Sequence, residues 1–231
     1  DPENSKILYI LPLTCIFLIP TLHRTIMPER FVEHYGGGTW FKAAFLHTFT
    51  FLALSFLLVN PPFGDIAAPE LAKSWTVITD DEGEIEYPFD VSTKGTTLIW
   101  HTNGSTTLQG DAWLLFGLMD NKNSDGATVN VTRTYQGDAT TREVNTSYYI
   151  DNLEAIKNGT SSSNDTSPNL TPHGDQDQPF AIFLGTDLGE GTHDITVVIT
   201  EDGDPWENVQ TYHWTLKIVN ASPFDQDSIS E

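Results

Sequence analysis

Two kinds of hydrophobic spacing divide the 231-residue chain. Before Asn60 the apolar residues come in long unbroken runs, and beyond it they alternate with polar ones. Ile7 to Leu22 is sixteen residues without a charge, and Ala43 to Val59 is seventeen more after Lys42. At 1.5 Å per residue such runs reach roughly 25–30 Å, about the thickness of a bilayer's hydrocarbon layer. They predict two transmembrane helices, at about 7–22 and 41–60, joined by a loop over 23–40. Pro12 and Pro20 predict a kink in the first, with Thr14 and Thr21 placed to satisfy freed carbonyls. A signal peptide is the rival reading of that run. It fits less well, because the preceding residues are acidic and no small-x-small cleavage site follows Leu22. In the loop, Pro28 suits the first turn of a short amphipathic helix with Met27, Phe31, Val32 and Tyr35 on one side, lying on the membrane surface. Gly36 to Gly38 would end it as a flexible connection, and Trp40 sits where an interfacial aromatic belongs.

Asn60-Pro-Pro-Phe-Gly stops the second helix, and residues 61–73 read as a linker. The period then changes to two. Ile85, Tyr87, Phe89 and Val91 alternate with polar residues, as do Val129 and Val131, Ile195, Val197 and Ile199, and Tyr212, Trp214, Leu216 and Ile218. This is the signature of half-buried antiparallel strands. Trp113 to Met119 is nearly continuously apolar and predicts a central strand. Shorter candidates are Trp75–Thr79, Thr97–His101, Ser147–Ile150 and Phe180–Leu184. Eight or nine short strands with Gly, Asp and Asn turns predict a β-sandwich over 74–220. Lys157 to Gln178 is polar and of low complexity, predicting a mobile loop, and 221–231 an acidic tail.

The closing stretch, GTHDITVVITEDGDPWENVQTYHWTLKIV (Gly191 to Val219), resembles the last hairpin of immunoglobulin-like, PKD-like and cadherin-like domains of cell-surface proteins. The resemblance covers about an eighth of the chain. It implies an extracellular binding or spacer domain. The fold class expected is therefore a membrane-anchored all-β protein, two N-terminal transmembrane helices followed by an extracellular Ig-like antiparallel β-sandwich.

Charge sharpens this picture. Residues 1–60 hold four basic and four acidic groups, whereas 61–231 hold seven basic and twenty-eight acidic ones, the whole net charge of −21. Such a surface repels phosphates, which excludes nucleic acid as a partner. Excess acid with few lysines and much threonine resembles the composition of haloarchaeal proteins. Three of the four basic residues before Asn60 flank or fill loop 23–40, placing it in the cytoplasm by the positive-inside rule. Seven Asn-x-Ser/Thr sequons, at Asn103, Asn130, Asn145, Asn158, Asn164, Asn169 and Asn220, all follow the second span. They are candidate glycosylation sites of a glycoprotein and agree with both termini lying outside. The partners implied are membrane lipid and other membrane or cell-surface proteins.

Candidate chemistry is sparse. Asn121, Asn123 and Asp125, followed by Gly126, offer oxygens at the alternate positions of a calcium loop. Asn replaces Asp at the first position, however, and Thr132 stands where a bidentate Glu belongs. Asp202 and Asp204, and the run Asp80-Asp81-Glu82, could hold calcium near a sandwich edge or simply form hairpin turns. Calcium is the one cofactor the sequence suggests. His47 lies within the second span, where a polar group is costly; a haem or proton-relay role competes with helix packing. Cys15, the single cysteine, leaves the β domain without a disulfide and reads as a small buried apolar side chain. No nucleophile elbow, HExxH or paired-carboxylate signature is present, so the chain reads as non-enzymatic. Binding, adhesion or structural support at the cell surface is the expected role, with an accessory subunit of a membrane enzyme or transporter as the alternative.

Overall fold

The structure is a computed structural model that describes residues 10, 14–58, 64–65, 67–88, 95–120, 126–158, 170–173, 176–203 and 206–222. The chain forms two units, Asp1–Ile66 with Asp204–Trp206, and Ala67–Gly203 with Glu207–Glu231.

The first unit is helical. A 3-10 turn, Cys15–Leu18, leads into α1 (Ile19–Ile26), followed by α2 (Glu29–Val32) and α3 (Gly37–Leu58). Of the expected first span, residues 7–9 and 11–13 lie outside the described residues, and a second crossing helix is not shown. Pro12 lies outside the described residues; Pro20 occupies the first turn of α1, directly after the 3-10 turn, where a missing N–H costs nothing. That helix runs past Leu22 to Ile26 and takes His23 and Arg24 out of the loop. It stops at Met27, which is extended (ψ 141°), as a residue before proline prefers. The apolar helical stretch described there, Ile16–Ile26, is shorter than the ~20 residues a crossing needs. The amphipathic loop helix is reduced to the four residues of α2. Gly37 and Gly38 are the first turn of α3, not a flexible connection.

The second unit is mostly strand. In chain order it holds β1 (Glu70–Asp81), β2 (Glu84–Glu86), β3 (Thr97–His101), β4 (Thr107–Met119), β5 (Thr128–Tyr135) and β6 (Asp138–Arg142). Two short helices follow, α4 (Thr146–Asp151) and α5 (Leu153–Asn158), then β7 (Gln178–Gly189), β8 (Gly191–Glu201) and β9 (Asn208–Val219). One sheet has the order β2-β1-β4-β7, the other β3-β9-β8-β5-β6. All neighbours are antiparallel except β3 and β9, which run parallel.

The alternation expected in β8 and β9 is present: Ile195, Val197, Ile199, Trp214, Leu216 and Ile218 are buried between exposed or half-exposed neighbours. These side chains share one core with Trp75, Val77, Leu114 and Phe116 of the four-stranded sheet. At its centre Trp75 stacks on Trp214 with ring centroids 4.8 Å apart, and Phe116 meets Trp214 edge-on at 5.5 Å. The central strand is buried from Ala112 to Leu118 on both faces. Its second face carries another cluster, in which Ile78, Trp113 and Leu115 are covered by Tyr149 and Ile156 of α4 and α5 and by Leu170.

That covering layer corrects the expected strand at Ser147–Ile150. A strand would point Tyr148 and Tyr149 to opposite faces. The helix turns both toward the sheet, Tyr148 stacking on Trp113 at 3.9 Å and Tyr149 entering the cluster. Asn145 starts it, its Oδ1 accepting from the Tyr148 N–H. The expected mobile loop 157–178 is corrected at its ends: Asn158 closes α5, Leu170 is buried, and Gln178 opens β7. Residues 159–169 lie outside the described residues. The expected linker 61–73 ends early, because β1 begins at Glu70 and an irregularity between Leu71 and Trp75 hides its alternation. The strand expected over Ile85–Val91 ends at Glu86, before Pro88, which has no N–H to give a ladder. Phe89 and Val91 lie outside the described residues, as does the acidic tail from residue 223.

Candidate membrane anchor and predicted sites

The candidate anchor is α3. Its 22 residues make a rod of about 33 Å, enough to cross the hydrocarbon layer. Apolar side chains lie on every side and none is buried, so no face is turned toward a protein core. Phe41, Phe45 and Phe49 recur at four-residue spacing and stack along one stripe, centroids 6.5 and 6.4 Å apart. Thr48 donates to the Ala44 carbonyl at 3.0 Å, which satisfies its hydroxyl within the helix. Gly37–Leu58 is the one helix among the described residues that is long and apolar enough to cross a membrane.

At the head of α3 an aromatic cluster joins it to α1 and to the turn after α2. Tyr35 and Trp40 meet edge-on at 5.2 Å, and His23 lies 5.9 Å from Tyr35 and 5.8 Å from Trp40. The Arg24 guanidinium stands 6.0 Å from the Trp40 ring. Arg30 covers Phe31 at 4.8 Å. Rings with polar tips and cations over their faces are the groups that partition to a membrane–water interface. The sequence pointed to Trp40 as the interfacial aromatic. Tyr35 was expected on the membrane-facing side of the loop helix, but its meeting with His23 and Trp40 depends on where α1 ends and how the turn at Glu33–Gly36 folds back.

The predicted sites stay dispersed. His47 is half-exposed and, with α3 starting at Gly37, lies near the middle of the helix rather than near its end. Asn103 is exposed in the turn between β3 and β4, in the left-handed region at φ 49°. Asn130 points outward between the buried Val129 and Val131. Asn145 is exposed and caps α4, and Asn220 is exposed just after β9. The side chain of Asn158, and all of Asn164 and Asn169, lie outside the described residues. So do Asn121, Asn123, Asp125 and Asp204; Asp202 is exposed in the turn after β8. Asp80-Asp81-Glu82 forms the β1–β2 turn, where Asp80 Oδ1 accepts from the Gly83 N–H at 2.8 Å. Cys15 stands in the 3-10 turn before α1.

No protein-family model matches the chain, and no curated protein matches it.

Proposed function

We propose that the chain is a membrane-anchored surface protein whose acidic β unit is an extracellular, Ig-like β-sandwich serving binding, adhesion or structural support. The observation that carries this reading is α3: a 22-residue helix, apolar all round and without a buried residue, followed in the chain by a stretch, 61–231, that carries the whole net charge of −21. The sandwich is supported by one core fed from both sheets. An outer location is supported by the basic residues around α1 and α2, and by the exposure of Asn103, Asn130, Asn145 and Asn220.

Membrane-impermeant maleimide labelling of intact cells tests this, in a Cys15→Ala background. Asn130→Cys should label at once and Thr39→Cys only after permeabilisation. The reverse pattern, or loss of the protein from membranes at alkaline pH, overturns it.

His47 favours a second reading, an accessory subunit packed against partner helices. An imidazole near the middle of an apolar helix is costly against lipid and finds its place against protein. Under that reading a stoichiometric partner co-purifies in mild detergent and is lost from His47→Leu. A protein that purifies alone points back to the free-standing form.

A further inference from the structure

Two arginines of the β unit have no carboxylate partner among the described residues. Arg142 of β6 stands opposite Val131 of β5, and Arg133 lies two residues along from Val131, so both project from the same face of the five-stranded sheet. That is the core face, since Val131 is fully buried within the shared core. Both arginines are half-buried at the β5–β6 edge, where Glu143 and Val144 carry the chain across to β7 through the Val144–Ile182 bridge. The Nε atoms of Arg133 and Arg142 are each buried without a hydrogen-bond partner. Among the described residues no carboxylate pairs with either guanidinium.

The surroundings confirm a locally positive site. His193 of β8 is fully buried and stacks on Tyr135 of β5, centroids 4.2 Å apart and nearly parallel. Its Nε2 lies 2.8 Å from the Gly189 carbonyl, which can only accept, so Nε2 carries the proton. Nδ1 is left as an acceptor and faces Arg133 Nη1 at 3.5 Å. Burial and the two guanidinium charges hold this imidazole below its usual pKa, the Gly189 hydrogen bond and Asp194 opposing them. Burial and the neighbouring Arg142 also lower Arg133. Among the described residues, a neutral histidine and two guanidiniums without a carboxylate partner share this spot. This occurs in a stretch with four acidic groups for every basic one. A buried, unpaired guanidinium donor costs stability that one aspartate would recover.

We propose that Arg133 and Arg142 form an oxyanion-binding site for a carboxylate or sulfate group. Planar guanidiniums from adjacent strands suit two-oxygen recognition through the outer part of these half-buried side chains. The ligand is recognised by the two oxygens of its carboxylate or sulfate group, and small-molecule probes separate the sources of that group. The site lies wholly within the β unit and holds whether or not α3 crosses a membrane.

Arginine Nε–Hε resonances of the full chain in detergent micelles read the site directly. Sulfate, glucuronate and N-acetylglutamate serve as probes, with sodium chloride at matched ionic strength as control. The resonances of Arg133 and Arg142 should move saturably with about millimolar affinity, and Arg133→Lys or Arg142→Lys should weaken binding about tenfold. Lys73→Gln should leave it unchanged. A response to glucuronate or sulfate alone assigns a glycan, and one to N-acetylglutamate alone assigns a protein side chain. No saturable shift with any probe, or binding read at the remaining arginine that is unweakened when the other is replaced by lysine, overturns the site. Phenylglyoxal labelling of the unmutated chain decides independently of whether variants fold. Glucuronate or N-acetylglutamate should slow modification of Arg133 and Arg142 about fivefold, and an unchanged rate overturns the proposal.

Discussion

Trp214 lies where the two sheets meet, stacked on Trp75, edge-on to Phe116 and flanked by Tyr212 at 5.4 Å. Truncating a buried aromatic removes its transfer energy and leaves a cavity its neighbours only partly fill. Trp214→Ala should therefore cost about 3–5 kcal/mol in urea denaturation, against under 1 kcal/mol for the exposed Val209→Ala on the same strand. At the same scale His193 makes stability depend on pH. Its folded-state pKa lies below the unfolded value of about 6.5, so the unfolded chain takes up the proton first. The stabilisation from the neutral imidazole is complete above pH 6.5 and is lost as pH falls below it. Measured against His193→Gln, which cancels the response of the carboxylates, the stability advantage of the natural chain should shrink from pH 7.5 to 5.5. An advantage that grows on acidification would mean the imidazole is charged in the fold.

Elements are set by what covers them. Gly117 sits on β4 beneath the 170–173 segment, and an added Cβ would collide with the Leu170 carbonyl and approach Thr171 Cγ2 at 2.8 Å. Gly117→Ala should cost about 1–3 kcal/mol through overpacking. It should also raise hydrogen exchange at 170–173 selectively; uniform exchange would mean that segment is not seated on the sheet. The same layer explains why Ser147–Ile150 misleads when read locally. Tyr and Ile favour strands on propensity, but the cap at Asn145 and the packing of Tyr148 on Trp113 win. In β6 the opposite holds. Asp138–Arg142 offers no apolar alternation, and the strand forms because the Gln136–Gly137 turn, both residues at positive φ, folds it back on β5. Nothing in its own side chains announces a strand.

The whole molecule carries its charge of −21 almost entirely in the stretch that forms the β unit. Raising salt from 0.1 to 1 M shortens the screening length from about 10 to about 3 Å, which relieves self-repulsion. The melting temperature of the β-unit transition should rise by several degrees over that range in sodium chloride, each kcal/mol gained being worth roughly 2–4 °C at this size. A flat or falling melting temperature would remove charge repulsion from the list of limits on stability and weaken the halophilic reading of the composition.

What the sequence determined by itself were the features that repeat along the chain: an apolar run long enough for α3, the period-two burial of β8 and β9, the doubly buried centre of β4, and the sign of the field around the β unit. These are local or summed properties, so linear reading reaches them. Tertiary structure alone decided the rest. Helix or strand at Tyr148 depended on Trp113, thirty-five residues earlier. The aromatic cluster at Trp40 depended on the turn between α2 and α3. The juxtaposition of Arg133 and Arg142 followed from strand register, which places residues nine apart side by side on one face. Register is a pairwise property of two strands and their turn, and neither strand specifies it alone.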